Sequence, residues 1–292
     1  MGGISLAIQL EKAGIPYQVF ERASEMKFLV AKECTAMDMY NEQQFEFRLD
    51  VSPVFEMGGD RCYIISRPVF HGLLMQGILK DKIFMNKKVL SMSQDRQGVR
   101  IECADKSTYD GDILVGADGA YSAVRQALYS GLKEENKLPA SDEMPLPFTT
   151  TCIVGQTEPL DPTEFPELLQ SLSRLCNIKG DNKPYSWMTG ATADNRICWV
   201  VIEYLERKSS KENASYRSSE WGQEAAESMC KLVYDFPITL RPEGSKMTMG
   251  HLLDKTPKHL ISKVMLEEKV FDTWYSGRTV LLGDGICSQS SC

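Results

Sequence analysis

The sequence contains few histidines, no paired cysteines and no long apolar run. Its 292 residues include three histidines and nine cysteines, and no two cysteines form a C-x-x-C pair. No cysteine and histidine stand at the spacing of zinc ligands, so we expect no metal site. Scattered cysteines without a disulfide pattern are typical of a reducing compartment, and we expect reduced, mostly buried thiols and a cytoplasmic protein.

The charge balance is acidic and argues against polyanionic partners. Forty Asp and Glu residues outnumber 33 Lys and Arg residues, which gives a formal net charge of -7. This balance does not supply the sustained positive field that nucleic acids or anionic membranes require. The apolar run Ile4–Leu10 is too short to span a bilayer and lacks a basic leader, so we expect neither a transmembrane segment nor a signal peptide. Small molecules are the expected partners, and the sequence does not indicate an oligomeric state.

The chain opens with a pattern of helix, turn and strand. Apolar residues recur at helical spacing from residue 3 to 13, Gly14 supplies a stop, and residues 17–21 form a short β-type run. A dinucleotide-binding unit places glycines at the helix start, and an acid about 20 residues later that binds ribose hydroxyls. Gly3 and Glu21 occupy these positions. The alternative is that Glu21 is simply a solvated residue at a strand end.

The remaining patterns predict a chain with a β-rich middle. A charged, proline-containing stretch at 133–147 is the best candidate for a domain boundary. The predicted helices cover residues 68–78 and 221–234. The predicted β-elements are a hairpin over 36–51 and strands at 63–65, 88–92, 99–103, 113–117, 148–154, 185–191, 196–204 and 279–282. Trp187, Trp199 and Tyr204 lie on predicted strands, where core packing is favoured over a role in an aromatic pocket.

Two further segments pair a strand end with an acidic turn. Asp118-Gly119 follows a predicted strand and precedes a helix that contains Arg125, and Gly283-Asp284 follows the final predicted strand. Open α/β sheets bind ligands at the carboxyl ends of their strands, beside helix N-termini. The alternatives are that Asp118 is only a helix cap and Asp284 only a turn residue.

These segments together resemble a known family. The run Gly2-Gly3-Ile4-Ser5-Leu6-Ala7, followed by Glu21-Arg22, resembles an FAD fingerprint; residues 116–125 resemble the DG motif, and Gly283-Asp284 the GD motif. The chain thus resembles the FAD-dependent aromatic-ring hydroxylases, the group A flavoprotein monooxygenases that include salicylate hydroxylase- and zeaxanthin epoxidase-like proteins.

The resemblance implies an α/β fold with two domains. An incomplete Rossmann-type FAD-binding domain would comprise residues 1–140 and 276–292, and a β-rich substrate domain covered by helices would be inserted at 141–275. It implies FAD and NAD(P)H as cofactors. The implied function is a monooxygenase-type oxidoreductase that uses O2 to hydroxylate or epoxidise a small aromatic or polyene substrate.

The resemblance also implies a set of cofactor-binding residues. The Ser66-Arg67-Pro68 segment resembles a family position where an arginine reaches the cofactor, and no catalytic side chain is indicated. We expect the carboxylates of Glu21, Asp118 and Asp284 to converge around one nucleotide cleft. The implied cofactor-binding residues are Gly3, Glu21, Arg22, Arg67, Asp118, Gly119, Arg125, Gly283 and Asp284.

The sequence departs from the family pattern at both ends. Met1 stands inside the glycine-rich loop, and Gly285-Ile286-Cys287 replaces the small residues and histidine that follow the GD motif. The resemblance therefore implies a truncated chain that binds FAD weakly or not at all. Two alternatives stay open, a non-catalytic fragment or pseudoenzyme and a prenyl-reductase-like flavin reductase. Substrate and nicotinamide preference are not indicated.

Overall fold

A computed structural model describes residues 1–22, 31–42, 44–50, 63–65, 67–210, 223–238 and 247–288. The α-helices in these ranges are α1 Gly2–Lys12, α2 Arg67–Met75, α3 Ala123–Glu134, α4 Ala140–Glu143, α5 Gln223–Val233 and α6 Met249–Leu253. The strands are β1 Val19–Phe20, β2 Ala31–Asn41, β3 Gln44–Asp50, β4 Tyr63–Ile65, β5 Ile83–Phe84, β6 Val89–Gln94, β7 Val99–Cys103, β8 Thr108–Gly111, β9 Leu114–Gly116, β10 Pro147–Gln156, β11 Ser173–Lys179, β12 Tyr185–Ala191, β13 Ile197–Ser210, β14 Pro237–Ile238, β15 Met247–Thr248, β16 Ser262–Glu267, β17 Lys269–Val270, β18 Tyr275–Ser276, β19 Thr279–Leu281 and β20 Cys287–Ser288.

The chain divides into two compact units. The first unit comprises Met1–Phe28, Phe70–Pro147 and Glu267–Cys292, and the second comprises Leu29–Val69 and Phe148–Leu266. Both helices and sheets contribute to the structure, so the predicted α/β class is confirmed. The assignment of residues 1–140 and 276–292 to a cofactor domain stays a prediction.

The first unit contains two pairs of parallel strands. Strand β1 pairs with β5, and β9 pairs with β19 in a register that sets Leu281 opposite Gly116. Strand β18 adds to β19 in antiparallel orientation, and β6, β7 and β8 form a separate antiparallel sheet. Within the described residues no strand ladder joins the two parallel pairs. Parallel pairing is the arrangement expected of a dinucleotide-binding sheet.

Helix α1 contacts both parallel pairs. Its buried residues Ile4 and Ala7 form a small core with Ile78, against which Val19 of β1 and Ile83 of β5 pack. The start of α1 lies against Ala117, the residue that follows β9. Helix α1 ends before Gly14, as predicted. Gly14 has a φ of +68°, a backbone conformation that residues with a side chain rarely adopt.

Helix α3 packs on the second parallel pair. Its buried residues Val124, Leu128 and Tyr129 recur at helical spacing and form a core with Phe271 and Leu281. The helix begins after Ser122, whose Oγ accepts a hydrogen bond from the amide of Arg125 at 2.9 Å. A hydroxyl oxygen at the residue before a helix commonly accepts a hydrogen bond from an amide of the first turn that has no partner within the helix.

The second unit is built on one long sheet. Its strand order is β16-β10-β13-β12-β11-β2-β3, and β4 also pairs with β2. The predicted hairpin over residues 36–51 is confirmed, because β2 and β3 pair in antiparallel orientation. Strand β11 was not predicted. It pairs in parallel with β2, with Cys176 opposite Asp38.

The core of the second unit lies on one face of this sheet. Trp187 is fully buried and Trp199 is 3% exposed, and both pack with Met229 and Val233 of α5 and with Leu252 of α6. The preference for core packing of the two tryptophans is confirmed. Tyr204 differs, since it is 49% exposed and its hydroxyl lies 3.0 Å from the hydroxyl of Ser186.

Within the described ranges, none of the helices has both the length and the apolar character needed to cross a bilayer. The same ranges contain no cluster of three or more His, Cys, Asp or Glu residues that could hold a metal ion. No disulfide joins the cysteines of this part of the chain, and four of them are buried: Cys34, Cys103, Cys152 and Cys176.

Two helical glycines should respond in opposite ways to alanine. A Cβ added to Gly3 in α1 would lie 2.9 Å from the Cβ of Ala117, whereas one added to Gly131 in α3 meets no described atom within 4 Å. Gly131→Ala should stabilise the protein by about 0.5–1 kcal/mol through helix propensity. Gly3→Ala should destabilise it by about 1–3 kcal/mol through overpacking. Urea denaturation of both variants measures the difference, and equal stabilisation by both would contradict the close approach.

Candidate functional site

Three chain segments meet at one end of the strand pair β9–β19 in the first unit. They are the start of α1, the Asp-Gly turn (residues 117–121) and the Gly-Asp turn (residues 282–286). The amide of Leu282 donates to the carbonyl oxygen of Gly116 at 2.9 Å. A Cβ on Gly2 would lie 3.5 Å from Cγ of Leu282, and one on Gly3 would lie 2.9 Å from Ala117. The three segments are therefore in direct contact.

The start of α1 presents backbone amides without a side-chain cap. Met1 precedes the helix and makes no side-chain cap hydrogen bond, and the first turn contains no acidic residue. The first amides of a helix lack carbonyl partners within the helix and carry partial positive charge. Such a helix end favours an anion, and backbone approach is easiest where the residues are glycines, here Gly2 and Gly3.

In the Asp-Gly turn, Asp118 holds the start of α3. Its Oδ1 accepts a hydrogen bond from the hydroxyl of Ser122, and its Oδ2 accepts from the amide of Ala123 at 2.6 Å and from that of Val124 at 3.3 Å. Asp118 nonetheless remains exposed. A carboxylate offers about four lone-pair positions. Capping the helix therefore leaves this group able to contact a ligand.

The Gly-Asp turn exposes one acidic side chain from a constrained backbone. Gly283 has a φ of +64°, and a Cβ built on it would meet no described atom within 4 Å. The amide of Ile286 donates to the carbonyl of Gly283 at 2.9 Å and closes the turn. Asp284 is exposed, and within the described residues its carboxylate has no hydrogen-bond partner. The turn thus presents a free acceptor group.

Glu21 and Arg22 lie at the end of the other parallel pair. Glu21 follows β1 directly, as predicted, and is half-buried. Its amide donates to the carbonyl of Phe84 at 2.9 Å, and its own carbonyl accepts from Lys87 at 2.8 Å. Arg22 is exposed. The convergence of Glu21 with Asp118 and Asp284 on one cleft stays a prediction.

Two predicted arginine contacts have different outcomes. Arg67 is the first residue of α2, and its side chain lies outside the described part of the structure. Arg125 is 5% exposed, and its guanidinium donates to the carbonyl oxygens of Gly285 at 2.9 Å and Ala120 at 2.5 Å. Burial lowers the pKa of Arg125, while the nearby carboxylate of Asp118 opposes that shift. The structure therefore shows Arg125 engaged by the two turns.

One contact of the Asp-Gly turn was not anticipated. The hydroxyl of Tyr121 donates a hydrogen bond to the carboxylate of Glu267, the last residue of β16. Burial and this hydrogen bond raise the pKa of Tyr121. The partners are 146 residues apart in the chain, so only the tertiary structure could identify the pair.

Gly119 and Gly116 explain why the segment between strand and helix carries two glycines. Gly119 has a φ of +91°, which side chains rarely adopt. A Cβ on Gly116 would lie 2.8 Å from Val124 and 2.9 Å from Leu281. The backbone conformation of the turn therefore favours glycine at position 119, and the close contact between β9, β19 and α3 favours glycine at position 116.

Comparisons with known proteins give a consistent result. No family model matches the sequence. The chain is 28% identical to the FAD-dependent monooxygenase penE of Penicillium thymicola over 71% of its own length and 40% of the relative. It is 26% identical to the FAD-dependent monooxygenase paxM of Penicillium paxilli over 98% of its own length and 62% of the relative. The chain thus spans about two-fifths to three-fifths of the length of these curated relatives.

Solved structures share the fold. A single-residue variant of HpxO from Klebsiella pneumoniae, complexed with FAD, superposes with a TM-score of 0.71 at 17% identity, covering 98% of this chain and 72% of HpxO. CtdE in complex with FAD and a substrate superposes with a TM-score of 0.69 at 14% identity, covering 98% and 72%. These likenesses show the fold, and the sequence matches to FAD-dependent monooxygenases confirm the resemblance that the motifs indicated.

Proposed function

We propose that the first unit binds FAD, contrary to the expectation of weak or absent binding, and that the chain is a monooxygenase-type oxidoreductase. The observation that carries this proposal is the contact between three segments, the glycine start of α1, the Asp-Gly turn and the Gly-Asp turn. The start of α1 offers backbone amides, the Asp-Gly turn offers a carboxylate at the start of α3, and the Gly-Asp turn offers an exposed carboxylate. Dinucleotide sites use such groups to bind the diphosphate and the hydroxyls of the cofactor.

The start of α1 fits the diphosphate of FAD. It lacks a side-chain cap, and its first residues are glycines that allow close approach of a ligand to the backbone. Gly119 and Gly283 both leave open space where a Cβ would stand, as far as the described residues show. The cofactor would therefore meet backbone rather than side chains at these points. Gly3, Gly119 and Gly283 are assigned to this role.

The carboxylates fit the hydroxyl groups of the cofactor. Ionised carboxylates accept hydrogen bonds from hydroxyls, and such charge-assisted bonds are among the stronger ones in proteins. Asp284 would accept from a ribityl or ribose hydroxyl, and Asp118 would contribute from the neighbouring turn. Glu21, with the exposed Arg22 beside it, would bind the ribose of the adenosine half. Arg67 is retained as a proposed contact on the basis of the family resemblance.

The reaction is assigned by relationship. Curated relatives are named FAD-dependent monooxygenases, and one HpxO structure is a complex with FAD and uric acid. Bound FAD, reduced by NAD(P)H, would supply the oxygen chemistry, while the protein positions the cofactor and excludes water. We assign cofactor binding to the first unit, in place of the predicted bounds 1–140 and 276–292, and binding of a small aromatic or polyene substrate to the second unit, in place of 141–275. No catalytic side chain is named.

Removal of the Asp284 charge should weaken FAD binding. Titration of the purified chain with FAD, followed by flavin fluorescence, should give saturable binding. Asp284→Asn should reduce the affinity about ten- to a hundredfold, because a hydrogen bond to a charged group is worth about 1.5–3 kcal/mol. The matched control is Asp112→Asn, since Asp112 is exposed in the same unit and precedes β9, at the opposite end of that strand from Asp118.

The control should bind FAD as the unmodified chain does. Absence of saturable binding by the unmodified chain would contradict the proposed function and favour a non-catalytic role. Equal loss in both variants would show that the Asp284 effect is a general charge effect. Loss confined to Asp284→Asn supports the assignment.

Oxygen labelling separates a monooxygenase from a flavin reductase. With FAD, NAD(P)H and 18O2, the chain should incorporate one labelled oxygen atom into an accepted phenolic or polyene compound, measured by mass spectrometry. A reductase of the prenyl-reductase type would instead add hydrogen to the substrate and leave the label in O2. Product without label, accompanied by substrate reduction, would overturn the monooxygenase assignment.

A further inference from the structure

We propose that Arg125 is a positioning residue that couples the Asp-Gly turn to the Gly-Asp turn, so that the order of each turn depends on the other. Its relevance to the cofactor rests on the proposed function. The coupling itself is a property of the chain and can be measured without FAD. This role differs from the direct cofactor contact that the family resemblance implies.

The guanidinium of Arg125 joins two turns that are distant in sequence. Nη1 donates to the carbonyl oxygen of Gly285, 160 residues away, at 2.9 Å, and Nη2 donates to that of Ala120 at 2.5 Å. The first carbonyl belongs to the Gly-Asp turn and the second to the Asp-Gly turn. A single rigid group therefore sets the separation of the two backbones.

A guanidinium suits this geometry better than an ammonium group. The guanidinium is planar and presents its donors in a fixed fork, whereas the ammonium group of lysine is a compact point charge. Here Nη1 donates to one carbonyl and Nη2 to the other, which uses two donors of the fork. A lysine at the same position has rotatable donors in place of the fixed fork and no planar face to lie over Phe271, so it would hold the two carbonyls less rigidly.

Phe271 attaches the guanidinium to the Gly-Asp turn a second time. The guanidinium carbon of Arg125 lies 4.1 Å from the centre of the Phe271 ring, within the range of a cation–π contact. The amide of Phe271 donates to the carbonyl oxygen of Ile286 at 2.9 Å. The turn that carries Asp284 is thus held by a backbone bond to Phe271 and by a side-chain bond to Arg125.

The surrounding charges keep the buried cation in place. Arg125 is 5% exposed, and burial of a charge is costly unless it is paired or hydrogen-bonded. Asp118 and Asp142 both favour its charged form. Asp142 is itself buried and accepts hydrogen bonds from the amides of Asp272 and Thr273 at 2.8 and 2.9 Å.

The coupling accounts for the exposed position of Asp284. Gly285 is buried, its amide donates to Leu282 at 3.3 Å, and its carbonyl is held by Arg125. With both backbone groups of Gly285 held, the preceding residue is constrained while its carboxylate remains free. Loss of Arg125 should therefore increase the mobility of the backbone at Asp284, while the carboxylate of Asp284 itself is unchanged.

Hydrogen exchange of the chain without FAD tests the coupling. In Arg125→Lys, amide exchange within residues 283–287 should accelerate about tenfold, since the fixed donor pair that holds the Gly-Asp turn is lost. The matched control is Arg278→Lys. Arg278 also donates to two backbone carbonyls of the first unit, those of Asp112 at 3.0 Å and Arg96 at 2.6 Å, and it precedes β19 at the other end of that strand.

Arg278→Lys should leave the exchange of residues 283–287 unchanged. Unchanged exchange in Arg125→Lys, or equal acceleration in both variants, would overturn the proposal. If Arg125→Lys does not fold, Arg125→Gln serves the same test, because its amide can donate to one carbonyl and carries no charge. Acceleration confined to residues 283–287 and to the Asp-Gly turn supports the coupling.

A second measurement relates the coupling to the cofactor. Arg125→Lys should weaken FAD binding about tenfold and shift the absorption spectrum of the bound flavin, whereas Arg278→Lys should change neither. A chain that binds no FAD at all would contradict the proposed function, and the exchange experiment would still decide the coupling. Accelerated exchange with unchanged FAD affinity would confine the role of Arg125 to folding and overturn its positioning role.

Discussion

The candidate site depends on the close approach of backbone segments around β9 and β19. Gly3 lies where a Cβ would be 2.9 Å from Ala117, and Gly116 lies where one would touch both Val124 and Leu281. The hydrogen bond from the amide of Leu282 to the carbonyl oxygen of Gly116 holds the Gly-Asp turn beside the end of β9. Because side chains larger than hydrogen would separate these segments, the site is a consequence of backbone packing as much as of its acidic residues.

Several residues of the site also hold the fold together. Asp118 caps α3 through the amides of Ala123 and Val124, and Ser122 caps the same helix through the amide of Arg125. The two interpretations of Asp118, helix cap and ligand contact, are therefore compatible, because one carboxylate has enough acceptor positions for both. A substitution of such a residue changes both the stability of the fold and the binding of a ligand. Its effect on binding must therefore be compared with that of a substitution at a residue that has only a structural role.

The second unit obtains its stability from a separate core. Trp187 and Trp199 are buried between the long sheet and helices α5 and α6, with the indole of Trp187 donating to the carbonyl of Pro237 at 2.7 Å. The indole of Trp199 donates to the hydroxyl of Thr256 at 3.0 Å. Both tryptophan side chains therefore belong to the core of this unit. If the second unit binds a substrate as proposed, other side chains would determine its specificity.

The sequence by itself determined the local elements and the candidate acidic positions. Helix α1 with its stop at Gly14, the hairpin of β2 and β3, and the strand ends before Asp118 and Asp284 follow from periodicity and turn residues, which are local signals. Strand β11, with its mixture of Arg174, Asn177 and buried Ile178, gave no such signal. Its pairing with β2 became visible only in the fold.

Only the tertiary structure decided which segments meet and what each polar group contacts. The bond from Arg125 to Gly285 and the bond from Tyr121 to Glu267 join residues 160 and 146 positions apart. Periodicity cannot report such pairs, since it reflects the neighbours along one element, whereas long-range contacts are selected by the packing of the whole unit. The motifs therefore indicated the resemblance to FAD-dependent monooxygenases from the sequence, and the fold showed Arg125 in contact with the turns that carry Asp118 and Asp284.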